Sequence, residues 1–158
     1  MTSDATGWAS LDSPLGSVAV AVNEEGGVVR VVFGEAAGRR HQRADDAAKQ
    51  LGEYFQSARR SFDLELWPAG SEFEKRVWAE VVKIPFGETV SYGEIADKLG
   101  GATIARAVRS ANAANPIAIL IPCHRVVGAA GELTGYAGGL WRKRWLLEME
   151  SGQVRLFE

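Results

Sequence analysis

Residues 17–22 alternate valine with alanine, and residues 28–33 resume the apolar run. Between them Asn23–Gly27 carries asparagine and glycine, which favour turns. The pattern predicts two strands joined by a short connection. Residues 34–44 are polar and irregular. From Asp45 to Ala58, the residues Ala47, Leu51, Tyr54 and Phe55 recur at the spacing of one helix face. Residues 61–67 alternate again, with Phe62, Leu64 and Leu66 set against Asp63 and Glu65, as in a half-buried strand. Pro68-Ala69-Gly70 then punctuates the chain. A small strand-rich domain with one helix is predicted over 1–69, and a second domain over 70–158.

Helical periods dominate the second domain. Ser71 and Glu74 form a capping-box pattern, opening a helix with Phe73, Val77, Trp78, Val81 and Val82 on one face. Pro85 and Gly87 end it. Ser91 and Glu94 form a second capping box for a short helix reaching Leu99. Gly100-Gly101 breaks that helix, and Thr103 is placed to cap the next one, over 104–114. Two short helices across a tight glycine turn make a helix-turn-helix pattern. Residues 117–121 read as a short buried strand or extended run leading into Pro122-Cys123-His124-Arg125. A glycine-rich loop follows, and a last helix covers 140–150 with Leu140 and Leu147 facing inward. The fold class is α+β.

On the helix over 104–114, Ile104, Ala107, Val108 and Ala111 share one face, while Arg106, Arg109, Ser110 and Ala113 lie opposite. That outer face is basic at its start and small further along. It suits close approach to a nucleic-acid duplex, but on the helix pattern alone an ordinary solvated face is the better reading, because helix pairs of this kind are common packing units.

Composition narrows the classes. The chain has 158 residues, 46% apolar and 24% charged, which excludes a disordered or fibrous chain and allows a real core. No apolar run has membrane-spanning length and no signal peptide is readable at the start, so a soluble cytoplasmic protein without a membrane partner is expected. The net charge of −2 argues weakly against a nucleic-acid partner. The distribution qualifies that. Between Asp97 and Glu132 there is no acidic residue, while Lys98, Arg106, Arg109 and Arg125 are basic.

The same stretch holds the single cysteine, Cys123, so no intrachain disulfide can form, and with only His41 and His124 a zinc site is not expected. A thiol becomes a strong nucleophile on losing its proton, and an imidazole can take it directly or through water. Adjacent side chains of a strand point to opposite faces, so direct contact between Cys123 and His124 requires a turn. The dipeptide alone fits a buried structural cysteine beside a satisfied histidine better.

The wider context separates these readings. Val90-Ser91-Tyr92-Gly93-Glu94, Ala105-Arg106-Ala107-Val108, Ala111-Asn112, Asn115-Pro116-Ile117, Ile121-Pro122-Cys123-His124-Arg125-Val126-Val127-Gly128 and Leu133-Thr134-Gly135-Tyr136-Ala137-Gly138-Gly139-Leu140 closely resemble the O6-alkylguanine-DNA alkyltransferases, the methylated-DNA–protein-cysteine methyltransferases. The resemblance runs from about Phe73 to Glu150, and the first domain fits by size and pattern.

The resemblance implies a ribonuclease H-like first domain and a winged-helix-like second domain. It implies a single-turnover repair protein that binds the minor groove of double-stranded DNA and flips O6-alkylguanine into a pocket. The alkyl group passes irreversibly to Cys123, with minor activity on O4-alkylthymine, no cofactor and no metal, in a monomer. Carried over by position, His124 takes the thiol proton through a water, Glu150 polarises His124, and Asn115 braces the segment before the cysteine. Tyr92 donates a proton towards guanine N3, and Arg106 fills the gap in the base stack. Thr103, Arg109, Ser110 and Ala113 complete the DNA-facing set. The main-chain carbonyls of Cys123 and Val126 read the guanine edge, and Tyr92, Val126, Tyr136, Ala137 and Gly138 line the pocket. Two positions depart from the family pattern: Arg109 stands where glycine is usual, and Ala137 where some members have serine. A non-catalytic damage binder of the alkyltransferase-like kind lacks the cysteine present here. A cysteine hydrolase calls for a base distant in sequence, and His41 lies in a polar loop.

Overall fold

The computed structural model describes residues 2–152; Met1 and residues 153–158 at the ends of the two predicted domains lie outside. The chain forms two compact units that divide at Ala69/Gly70, with one exchange: Pro116–Leu120 belongs to the first unit.

In the first unit, β1 (Gly7–Ser13), β2 (Gly16–Val22) and β3 (Val28–Phe33) form an antiparallel sheet in that order. β1 was not predicted. Its run GWASLDS has no clean period of two, and it is fixed by pairing, with Trp8 opposite Ala21 and Leu11 opposite Val18. Val18–Val22 are all fully buried, so the valine–alanine alternation sorts large from small side chains on two covered faces. Helix α1 (Gln42–Phe55) packs against β1 and β2 through Ala44, Ala47, Leu51, Tyr54 and Phe55. It starts before the predicted Asp45 because His41 caps it, Nδ1 accepting from the Arg43 N–H at 3.0 Å. Trp8, Ala19, Ala21 and Val29 form a core cluster with Trp67 packed against it.

Residues 61–67 keep the predicted alternation in burial but not the pairing. Only Leu66 bridges, opposite Val28, with the Val28 N–H on Glu65 O at 2.8 Å and the Trp67 N–H on Val28 O at 2.7 Å. Phe62 sits against the Tyr54 ring, with centroids 5.5 Å apart. The predicted run over 117–121 is also corrected. Ile117 bridges Val31, and the chain then turns. The Leu120 N–H reaches Ala118 O at 2.8 Å, closing a three-residue γ-turn on Ile119 at φ 71°. A β-branched residue is strained there.

In the second unit, α2 (Glu72–Val81) and α3 (Tyr92–Leu99) each begin with the predicted capping box, Ser71 with Glu74 and Ser91 with Glu94. Gly101, at φ 117°, turns the chain into a 3₁₀ turn over Ala102–Ile104 and then α4 (Ala105–Ala113). Thr103 does not cap α4; it lies inside the 3₁₀ turn, and Ile104 precedes the helix without a side-chain cap. Helices α2, α3 and α4 pack together, burying Val77, Trp78, Val81, Ile95, Ala96, Val108 and Ala111. The Trp78 indole N–H ties α2 to α4 by donating to Ala111 O at 2.8 Å. Val82, expected on the inner face of α2, is exposed at its C-terminal end, and Ala107 is exposed on α4.

A two-stranded parallel pair, β4 (Val90–Ser91) with β5 (Val126–Val127), joins the start of α3 to the end of the cysteine segment. The last helix, α5 (Leu140–Glu150), turns a different face inward than predicted. Leu140 is exposed and Leu147 half-buried, while Lys143, Leu146, Met149 and Glu150 are buried. An inner face that includes a lysine and a glutamate leaves no apolar stripe to read. Among the described residues no helix is long and apolar enough to cross a membrane.

Candidate active site

Two tight turns deliver the cysteine. Pro122, at φ −79° and ψ 63°, centres an inverse γ-turn, with the Cys123 N–H on Ile121 O at 2.7 Å. Cys123–Arg125 then form a single 3₁₀ turn, closed by the Arg125 N–H on Pro122 O at 2.9 Å and the Val126 N–H on Cys123 O. Three residues per turn set neighbouring side chains about 120° apart. The strand geometry that separates Cys123 from His124 therefore does not apply.

Cys123, His124 and Arg125 are all buried. His124 Nε2 lies 2.8 Å from Glu150 Oε2. Arg125 grips the same carboxylate bidentately, Nε on Oε1 at 2.8 Å and Nη2 on Oε2 at 2.9 Å, and donates from Nη1 to Ile84 O at 2.7 Å. The Gly87 N–H adds a bond to Oε1 at 3.3 Å. Burial alone would raise the Glu150 pKa, but the hydrogen bonds from His124 and Arg125 outweigh it and hold the carboxyl ionised far below its ordinary range. Burial pushes the His124 pKa down, opposed by Glu150, and so favours a neutral imidazole. With Nε2 committed to Glu150, Nδ1 is buried and makes no hydrogen bond within the described residues. This is the ring nitrogen left to accept a proton.

Burial also raises the Cys123 thiol, while a hydrogen bond from Asn115 and the charge of Lys143 pull the other way. The resting group is a protonated thiol, shielded from water and next in sequence to a base. Asn115 braces the approach by donating to Ile121 O at 2.8 Å.

Tyr92, at the start of α3, is buried. Its hydroxyl accepts from Thr134 Oγ1 at 3.2 Å. The Arg109 guanidinium, expected on the exposed side of α4, is exposed but also lies over the Tyr92 ring, 4.8 Å from its centroid. Arg106, Ser110 and Ala113 are exposed as predicted. Of the loop residues, Val126 is buried, Gly138 half-buried and Ala137 exposed; the Tyr136 hydroxyl is buried, which pushes its pKa well up.

Four residues of this site are not recognisable from sequence. Arg125 reads as part of the basic stretch, yet it is buried on Glu150 and does not belong to an exposed cationic face. Lys143 is fully buried, its Nζ donating to Val126 O at 2.7 Å and Thr134 O at 2.8 Å, and burial lowers its pKa to about 8. Asn112, buried on α4, donates to Cys123 O at 3.3 Å. Thr134 is anchored by Lys143 and reaches Tyr92. The only signal for Lys143 is its i, i+3 spacing with Leu146 and Met149 on the inner face of α5. Among the described residues no group of three His, Cys, Asp or Glu side chains could hold a metal.

A strand-rich unit, followed by a helical unit with a helix pair exposing arginines and a buried thiol next to a histidine–carboxylate couple, defines a two-domain α+β protein with a single buried cysteine at its candidate site. Residues 7–68 match the ribonuclease-like domain of 6-O-methylguanine DNA methyltransferase, and residues 72–152 match its DNA binding domain. A methylated-DNA–protein-cysteine methyltransferase of Methanosarcina acetivorans is 43% identical over 151 residues, 90% of this chain and 97% of that protein. One from Mycobacterium bovis is 55% identical over 108 residues, covering 68% of this chain and 66% of that protein, just under two-thirds of its length. The crystal structure of Mycobacterium tuberculosis OGT in complex with DNA superposes with a TM-score of 0.86 at 41% identity, covering 97% of this chain and 100% of that one. The chain belongs to the 6-O-methylguanine DNA methyltransferase family.

Proposed function

We propose that this protein repairs DNA by moving the alkyl group of O6-alkylguanine irreversibly onto Cys123, one lesion per molecule. The observation that carries the reading is the buried Cys123-His124 turn with Glu150 locked on His124 Nε2 and Nδ1 left to receive a proton.

The target atom is buried in the base stack, so the nucleotide is flipped out of the duplex. Helix α4 binds along the minor groove, with Arg106 filling the gap and Arg109, Ser110, Ala113 and the exposed Thr103 against the backbone. Cys123 O and Val126 O accept from the guanine amine, and Tyr136, Ala137 and Gly138 wall the pocket. His124 draws the thiol proton through a water, and Glu150 stabilises the imidazolium as it forms. The thiolate attacks the alkyl carbon in line, the C–S bond forms and the C–O bond breaks. The electron pair flows into the purine, where Tyr92 supplies a proton to N3. The imidazolium proton returns through solvent to the Tyr92 oxygen, so the net transfer is one proton from thiol to base. Asn115 acts through the Ile121 peptide and the thiol. The protein works as a monomer in the cytoplasm, without cofactor, and accepts O4-alkylthymine as a minor substrate.

The deciding experiment is peptide mass spectrometry after exposure to methylated duplex. One methyl group on Cys123 is expected; an unmodified Cys123 with the lesion intact removes the proposal.

A further inference from the structure

We infer that Thr134 is a positioning residue for Tyr92, holding the phenol as a directed proton donor to the purine. The inference rests on the reading above, in which Tyr92 faces the leaving base.

Four contacts carry it. Thr134 Oγ1 donates to Tyr92 Oη at 3.2 Å. Tyr92's own O–H has only a long contact, 3.5 Å to Thr134 O. That carbonyl is already taken by Lys143 Nζ at 2.8 Å, and the same Nζ is held by Val126 O at 2.7 Å. Thr134 is thus pinned through its carbonyl to α5 and presents its hydroxyl to Tyr92. The phenol proton, by contrast, has only that 3.5 Å contact among the described residues, a bond long enough to be exchanged for one to an incoming acceptor.

Accepting a hydrogen bond makes a hydroxyl a better donor, because the two bonds polarise one another. The arrangement therefore fills one lone pair of Tyr92 Oη and sharpens the proton on the other side. As the C–O bond breaks and charge builds on the purine, that proton strengthens its bond to N3 or crosses to it. The effect belongs to the transition state, where the ring nitrogen is most basic, so it falls on the transfer step more than on base binding.

The test compares Thr134→Val, Thr134→Ser and Tyr92→Phe, alone and combined, in single-turnover transfer from O6-benzylguanine and from its 3-deaza analogue, which lacks N3. Thr134→Val is expected to slow transfer from the guanine substrate about three- to tenfold, the scale of one neutral hydrogen bond, with little change in apparent binding. Thr134→Ser restores the rate. With Tyr92 replaced by Phe, or with the 3-deaza substrate, Thr134→Val has no further effect. If Thr134→Val slows all substrates and backgrounds equally, the residue is merely structural and the inference fails; unchanged transfer from the guanine substrate also overturns it. If Tyr92→Phe alone leaves the rate intact, the assignment of Tyr92 fails. Alkylation of Cys123 by iodoacetamide, expected at equal rates in all variants, reports that the thiol site is folded.

Discussion

His124 and Glu150 meet at 2.8 Å with both side chains buried, although 26 residues separate them in sequence. Arg125 completes the cluster by binding both oxygens of the same carboxylate, sharing Oε2 with His124. Three ionisable groups thus share one buried site, and the charge of Glu150 is held by the hydrogen bonds from His124 and Arg125. Breaking such a cluster from one side leaves an uncompensated buried charge, at a cost of about 3–5 kcal/mol. Glu150→Gln is expected to lose stability on that scale at pH 7. The folded Glu150 pKa is depressed, so its contribution is complete above about pH 4.3, the ordinary glutamate value, and fades as the pH falls towards the folded value. Urea unfolding of wild type and Glu150→Gln at a series of pH values checks this. The gap between them should narrow only below about pH 4; a gap that is constant with pH contradicts the assigned ion cluster.

The same cluster sets the acid limb of the reaction. A proton acceptor must be neutral, and burial holds the His124 pKa below its ordinary 6.5. Single-turnover transfer should therefore stay flat as the pH falls from 7.5 to 6.5 and decline only below that. Glu150 raises the His124 pKa, so Glu150→Gln should move the limb further down while lowering the plateau. A limb centred above 6.5 in the wild-type protein would show that another group limits the rate.

What the sequence reveals, and what it hides, follows from the geometry. Cys123, His124, Asn115 and Tyr92 are picked out by the segments that resemble the alkyltransferase family, since taken singly they read as a buried thiol, a satisfied histidine, a turn former and a packing aromatic. The capping boxes of α2 and α3 are legible because Ser and Glu three residues apart satisfy backbone donors without outside help. Arg125 and Lys143 are not, because a buried charge and a solvated one look alike until a partner is seen, and theirs arrive from another helix or a distant carbonyl. Leu140 misleads for the complementary reason: α5 gives its inner face to Lys143 and Glu150, so a leucine is left outside. Strand β1 exists through its ladder with β2, and a sequence of mixed small and polar residues does not announce a pairing partner.

Arg106 is exposed on α4. Arg106→Ala is expected to leave thermal stability within about 0.5 kcal/mol of wild type. It should slow repair in duplex DNA at least tenfold and leave transfer from free O6-benzylguanine unchanged. Parallel single-turnover assays on the two substrates decide. Equal slowing on both removes the assignment of Arg106 to the gap in the base stack.

With Arg125 buried, the exposed basic residues of the acid-free stretch are Lys98, Arg106 and Arg109. At about 0.9 per phosphate contact, the log–log salt slope of DNA binding should lie near −2 to −3. Arg109→Gly should reduce it by about one and weaken non-specific binding. Fluorescence anisotropy with unmodified duplex at several salt concentrations measures both. An unchanged slope would mean that the guanidinium stays on the Tyr92 ring when DNA is bound; tighter binding would make it a steric obstacle.

The chemistry should be stoichiometric. The product on Cys123 is a thioether, a stable bond, and Cys123 is the single cysteine of the chain, so no second thiol can exchange with it. The resting thiol is protonated and buried, which lowers its reactivity towards electrophiles that do not fit the site. Cys123→Ser should abolish transfer and leave DNA binding within about twofold, since a hydroxyl is far harder to deprotonate at neutral pH. His124→Ala should slow transfer about 10²–10⁴-fold, the range for loss of a general base. In a Glu150→Gln background it should cost much less, because the two act through one proton path. The measurement is a count of methyl groups transferred per protein from excess methylated duplex. One per molecule, all on Cys123, is expected; turnover beyond one, or label on any other residue, is incompatible with a self-inactivating acceptor.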